Sequence, residues 1–125
     1  FDFADWERTY RGLLDRARQA NPALKIVLCT PFAAPCGKIV EGALGEYYPL
    51  RQRILAQCCV IVERIAADYG ATLVPFHRLI ADLETRLPNG DATYWVWDGI
   101  HPTPAGQRLM ADCWIGAAAR SGVME

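Results

Sequence analysis

From Phe3 to Ala17 apolar residues return every three or four positions, as Phe3, Trp6, Tyr10, Leu13 and Ala17, while Arg8, Arg11, Asp15 and Arg16 fall mostly off that stripe. This spacing predicts an amphipathic helix over residues 2–20, stopped by Asn21-Pro22. Ile26-Val27-Leu28-Cys29 then runs apolar without alternating. It predicts a strand within residues 25–30 covered on both faces, as in a parallel sheet. Residues 31–46 hold three glycines and two prolines and predict a long loop, of a kind that is often functional. The helical period resumes with Leu50, Ile54, Cys58, Ile61, Ile65 and Tyr69, predicting a helix over 48–69 that Gly70 ends. A second strand is expected at 72–76, a third helix at 78–86 and a turn at 87–91. Thr103 is the expected N-cap and Pro104 the first residue of a last helix reaching about Ala119.

Strands that alternate with helices imply parallel pairing through right-handed crossovers, hence an α/β fold. Two parallel strands by themselves leave both outer edges unpaired. The pattern therefore reads as the C-terminal part of a larger parallel sheet, with self-association as an expected consequence of the open edges. The 125 residues, 52% hydrophobic and 22% charged, fit one packed domain or a portion of one. The formal net charge is −1 with both signs interspersed, so no basic face is expected for nucleic acid or a membrane surface. No apolar run is long enough to span a bilayer, and the start reads as no signal peptide.

Cys29, Cys36, Cys58, Cys59 and Cys113 are odd in number and match no zinc spacing. They read as small buried hydrophobes in a reducing compartment, which makes the expected location cytoplasmic. Cys36, in the long loop, is the best candidate for a free thiol. A cysteine nucleophile is disfavoured, because none stands at a strand-to-helix elbow.

The candidate chemistry lies in Asp98-Gly99-Ile100-His101-Pro102. A carboxylate three residues from an imidazole can fix its tautomer and stabilise the imidazolium formed when a nucleophile loses its proton. Pro102 keeps His101 out of helical dihedrals, and Gly99 lets the turn close. Asp98 and His101 are the candidate catalytic residues; as metal ligands they would lack a third partner at matching spacing. His77, the only other histidine, reads as a helix-start residue although it follows a strand. Trp97 reads equally as core or as a substrate-binding platform for a sugar ring, and Trp95 as core. The only serine, Ser121, lies beyond the last helix, so the base is legible and its nucleophile is not.

Together these motifs resemble the GDSL/SGNH hydrolases, a family of flavodoxin-like three-layer α/β/α esterases and lipases. The family's last block matches Trp97-Asp98-Gly99-Ile100-His101-Pro102-Thr103-Pro104-Ala105-Gly106. The stretch from Trp6-Glu7-Arg8-Thr9-Tyr10 through Lys25-Ile26-Val27-Leu28-Cys29-Thr30-Pro31-Phe32 is similar to the helix and strand that come after the family's third block. The Tyr94-Trp95-Val96-Trp97 segment is similar to the acetylxylan-esterase-like branch. The resemblance implies a serine esterase acting on small acyl esters, with acetylated carbohydrates as one class, and needing no cofactor or metal. It implies Asp98 and His101 as triad members. The Gly-Asp-Ser block and the oxyanion glycine and asparagine of the family have no counterpart here; Asn21 and Asn89 stand in other contexts. Residues 1–125 are thus expected to be the C-terminal portion of one such domain, with the remaining portion as partner. The alternative is a non-catalytic α/β fragment or binding module that pairs with another polypeptide. A Gly-Asp-Ser encoded upstream of Phe1 would decide between them.

Overall fold

The computed structural model describes residues 1–87 and 90–124. Among the described residues, five α-helices and two strands succeed one another in the order α1 (Phe3–Ala20), β1 (Val27–Cys29), α2 (Gly42–Glu46), α3 (Tyr48–Asp68), β2 (Thr72–Val74), α4 (Phe76–Arg86) and α5 (Pro104–Arg120). The fold is α/β. β1 and β2 are parallel, in the register Val27↔Thr72, Leu28↔Leu73 and Cys29↔Val74. The ladder extends one bond at each end, from Thr72 N–H to Ile26 O and from Thr30 N–H to Val74 O.

α1 begins where the Asp2 carboxylate accepts from Asp5 N–H and ends at Asn21, in extended backbone. Its inward face is Phe3, Trp6, Tyr10 and Leu14, packed against Ile26, Leu28, Ile61, Val62, Ile65 and Ala66. Leu14 rather than Leu13 completes that face; Leu13 is exposed. On α3 the stripe residues Cys58, Ile61 and Ile65 are likewise buried and Tyr69 is partly buried, whereas Leu50 near the start is exposed. Gly70 takes a left-handed φ of 58°. The chain then turns back through the bond from Ala71 N–H to Ala66 O, which closes α3 and delivers β2 beside β1. α5 packs against β2 and α4.

Two expectations about the elements are corrected. Residues 31–46 are not a featureless loop: a single 3-10 turn, Gly37–Val40, precedes α2. The glycines and prolines that predict irregular chain do not prevent turns this short. α4 starts at Phe76, two residues early, and β2 is correspondingly shorter. Cys36 is a free thiol, as expected; it is also only 5% exposed, and it donates to Val96 O at 3.1 Å. Its loop is interior packing, and burial pushes the thiol pKa up. Of the turn expected at 87–91, Pro88 and Asn89 lie outside the described residues. Among the described residues, no helix is long and apolar enough to cross a membrane.

Candidate active site

The segment 97–103 is a small loop closed on itself. Trp97 N–H donates to His101 O at 3.2 Å, and Val96 bridges Pro102 in antiparallel fashion. Inside the loop the Asp98 carboxylate uses both oxygens. Oδ1 accepts from the backbone N–H groups of Ile100 (3.0 Å) and His101 (2.8 Å). Oδ2 stands 2.7 Å from His101 Nδ1. The three-residue spacing thus produces an Asx-type turn and an imidazole contact from one side chain.

These bonds hold the Asp98 carboxyl down to about 2, chiefly through the His101 backbone N–H and then the His101 ring; the Ile100 N–H adds to them against the cost of burial. Asp98 is therefore ionised near neutrality. An ionised carboxylate only accepts, so the proton between the two groups lies on Nδ1, and in the neutral ring Nε2 keeps a free lone pair. The Asp98 side chain is 15% exposed and that of His101 67% exposed. The arrangement is a fixed carboxylate carrying an accessible imidazole, able to take a proton from a donor placed at Nε2 and return it.

The loop is held in place from residues 34–39, part of the stretch that the sequence reads as a long loop. Ala34 N–H donates to Gly99 O at 2.9 Å and Ile39 N–H to Asp98 O at 3.3 Å. Gly99 has a φ of 89°, and a Cβ there would come within 2.1 Å of Ile39 Cγ2 and 2.7 Å of Cys36 O. Gly37 has a φ of 60°, and a Cβ there would stand 2.5 Å from Trp97 O. Two backbones meet where only glycine fits. The signal available in the sequence is a glycine in each segment, but nothing in the sequence pairs them. On the far side Thr103 caps α5, accepting from Gly106 N–H at 3.1 Å while its hydroxyl reaches Tyr94 O at 2.7 Å.

Trp97 is 53% exposed, and its ring lies nearly parallel to that of His101, 26° apart with centroids at 6.2 Å. Trp95 is half-buried and packs with Ala34, Cys36, Ile80, Ala92 and Val96. His77 is in the first turn of α4. Its backbone N–H donates to Thr30 Oγ1 at 3.1 Å, and its Nδ1 lies 2.8 Å from the same oxygen. Burial lowers its pKa, which Glu63 partly offsets. Among the described residues no hydrogen bond links His77 to Asp98 or His101.

Ser121 is far from this loop. Its hydroxyl donates to Ala118 O and lies 2.7 Å from Thr72 Oγ1, at the amino end of β2. The 97–103 loop belongs to the carboxyl ends of the strands, where Ile100 shares a surface hollow with Thr30, Pro31 and Phe76. Among the described residues no three His, Cys, Asp or Glu side chains converge as a metal site requires.

In open parallel α/β sheets ligands bind beyond the carboxyl ends of the strands, the edge at which the Asp98–His101 loop lies. The family model described as GDSL-like lipase/acylhydrolase matches residues 1–109, and the chain belongs to that family. It is similar to a crystal structure from Parabacteroides merdae ATCC 43184 described as a GDSL-like lipase. The identity is 28% and the TM-score 0.75, over 90% of this chain and 48% of that one. The chain thus spans about half the length of that protein. No curated protein matches the chain.

Proposed function

We propose that this chain supplies the Asp–His half of a serine-esterase centre that cleaves small acyl esters. A serine from sequence outside these 125 residues attacks the ester carbonyl, and His101 Nε2 takes its proton. The tetrahedral adduct collapses when the imidazolium returns that proton to the departing alcohol. Water, deprotonated by the same nitrogen, then releases the acid and restores the serine. Asp98 keeps Nδ1 protonated throughout and stabilises the imidazolium. Oxyanion donors, also outside these residues, would contribute about 3–4 kcal/mol each. No cofactor enters this scheme. Trp97 offers an exposed flat face beside His101 for a sugar ring, which favours acetylated carbohydrates among the esters.

The observation that carries the reading is the 2.7 Å contact between Asp98 Oδ2 and His101 Nδ1 with the ring open to solvent. Family membership supports it. The rival, a non-catalytic module that pairs with another polypeptide, is favoured by the position of Ser121, the only serine, at the opposite strand end. Steady-state hydrolysis of 4-nitrophenyl acetate by the protein in its native sequence context separates the two. His101→Ala should remove nearly all turnover, and Asp98→Asn up to about four orders of magnitude, with circular dichroism unchanged. A fluorophosphonate should label a serine other than Ser121, and residues 1–125 alone should give no saturable turnover. Wild-type turnover in a folded His101→Ala variant refutes the assignment.

A further inference from the structure

A second cavity lies away from the Asp98–His101 loop, between α3 and α4. Its volume is about 240 Å³. Phe32 from the loop after β1, Leu55 from α3 and Ile80 from α4 make it largely apolar. One part is polar. Gln52 Nε2 donates to the Tyr48 hydroxyl and to Ala33 O, the latter at 2.9 Å. The Glu84 carboxylate lines the same cavity and acts electrostatically on the Tyr48 phenol. His77 and Cys59 also line it; His77 Nδ1 is engaged with Thr30 and the Cys59 thiol with Pro31 O, while His77 Nε2 lies 3.7 Å from Glu63 Oε1.

Glu84 is the anomaly. Among the described residues its carboxylate has no ion pair and no hydrogen bond, although Asp82 and Glu63 on the same helices each hold an arginine. Burial alone raises its pKa. A carboxylate partly removed from water and left unpaired is costly, and a cation that reaches it recovers that cost. A dry cavity of about 150 Å³ holds a benzene ring. A cavity of about 240 Å³ has room for one ring and a short arm. We propose that this cavity is a binding site for a small primary ammonium on a ring-sized apolar body, with the ammonium on Glu84 and the Tyr48 hydroxyl oxygen and the body against Phe32, Leu55 and Ile80. None of the cavity's lining residues belongs to the 97–103 loop, although Phe32 and Ile80 also pack in the cluster beneath it.

The test is a two-dimensional amide titration of the protein in its native sequence context, which reads binding without turnover. The probes are benzylamine, benzyl alcohol and benzoate. Benzylamine should shift Leu55, Ile80 and Ala81 saturably and bind at least about tenfold tighter than benzoate. Glu84→Gln should weaken benzylamine about ten- to a hundredfold, the scale of a hydrogen bond to a charged group, and leave benzyl alcohol unchanged. Ala81→Trp should abolish both by filling the cavity. Equal binding of benzylamine and benzoate to the wild-type protein overturns the proposal without any variant. Undiminished benzylamine binding by Glu84→Gln overturns it as well.

Discussion

The two buried clusters of this molecule are built differently. The first, under α1 and α3, joins long aliphatic side chains from regular elements: Ile26, Leu28, Ile61, Val62 and Ile65. The second, beneath the Asp98–His101 loop, joins mainly small residues from irregular chain: Ala34, Cys36, Ala92 and Val96, with Ile80 from α4. In the first, side chains fill the space between backbones. In the second, backbones approach one another, and the contacts are N–H to carbonyl bonds and glycine crossings. The body therefore gains stability in proportion to apolar area, while the site gains position from steric fit.

Removing volume from the first cluster should have the largest effect on stability. Ile65 is fully buried among Ile26, Leu28 and Val62. Ile65→Ala should cost about 2–5 kcal/mol by chemical denaturation, with loss of signal across the whole chain. Adding volume to the second should cost somewhat less and act locally. Gly99→Ala combines a positive φ with a Cβ overlapping Ile39. It should cost roughly 2–4 kcal/mol. Amide exchange should rise at 97–103 while β1 and β2 stay protected. If both variants loosen the whole chain equally, the distinction between the clusters is wrong.

The difference also decides what is legible in the sequence. Phe3, Trp6 and Tyr10, the unbroken Ile26–Cys29 run and the stripe ending at Tyr69 locate the helices and strands nearly to their ends, because burial against a neighbour imposes the period. Thr103 and Pro104 announce α5 because capping is local. The Asp98-to-His101 spacing is legible for the same reason: both partners lie within one turn. The contacts of Gly37 with Trp97 and of Cys36 with Val96 cross about 60 residues and leave no periodic trace. Cys36 reads from the sequence as a free thiol, which it is, but its burial is not legible there because a loop composition says nothing of what packs over it. Glu84 goes unnoticed there because an isolated acid on a helix reads as surface until its neighbours are known.

A smaller effect comes with acid. The Asp98 carboxyl ordinarily titrates at 3.8 and is held at about 2 in the fold. A depressed carboxyl stabilises the fold above its ordinary value and loses that contribution as pH falls through the depressed one. Loop order should therefore persist down to about pH 4 and fade toward pH 2, while Asp98→Asn removes the dependence. Amide chemical shifts of Ile100 and His101 report it directly, since both N–H groups donate to Asp98. Midpoints unaltered from an ordinary carboxyl would show that these bonds are not kept in solution.

The central claim is that Asp98 fixes the His101 ring with Nδ1 protonated and Nε2 free. Long-range proton–nitrogen correlation spectra on the ring, recorded at about pH 9 where an ordinary imidazole is neutral, measure this without any substrate. The account predicts a protonated Nδ1 and an unprotonated Nε2 for His101, and a mixture of tautomers in Asp98→Asn. A wild-type ring with the proton on Nε2 would contradict it.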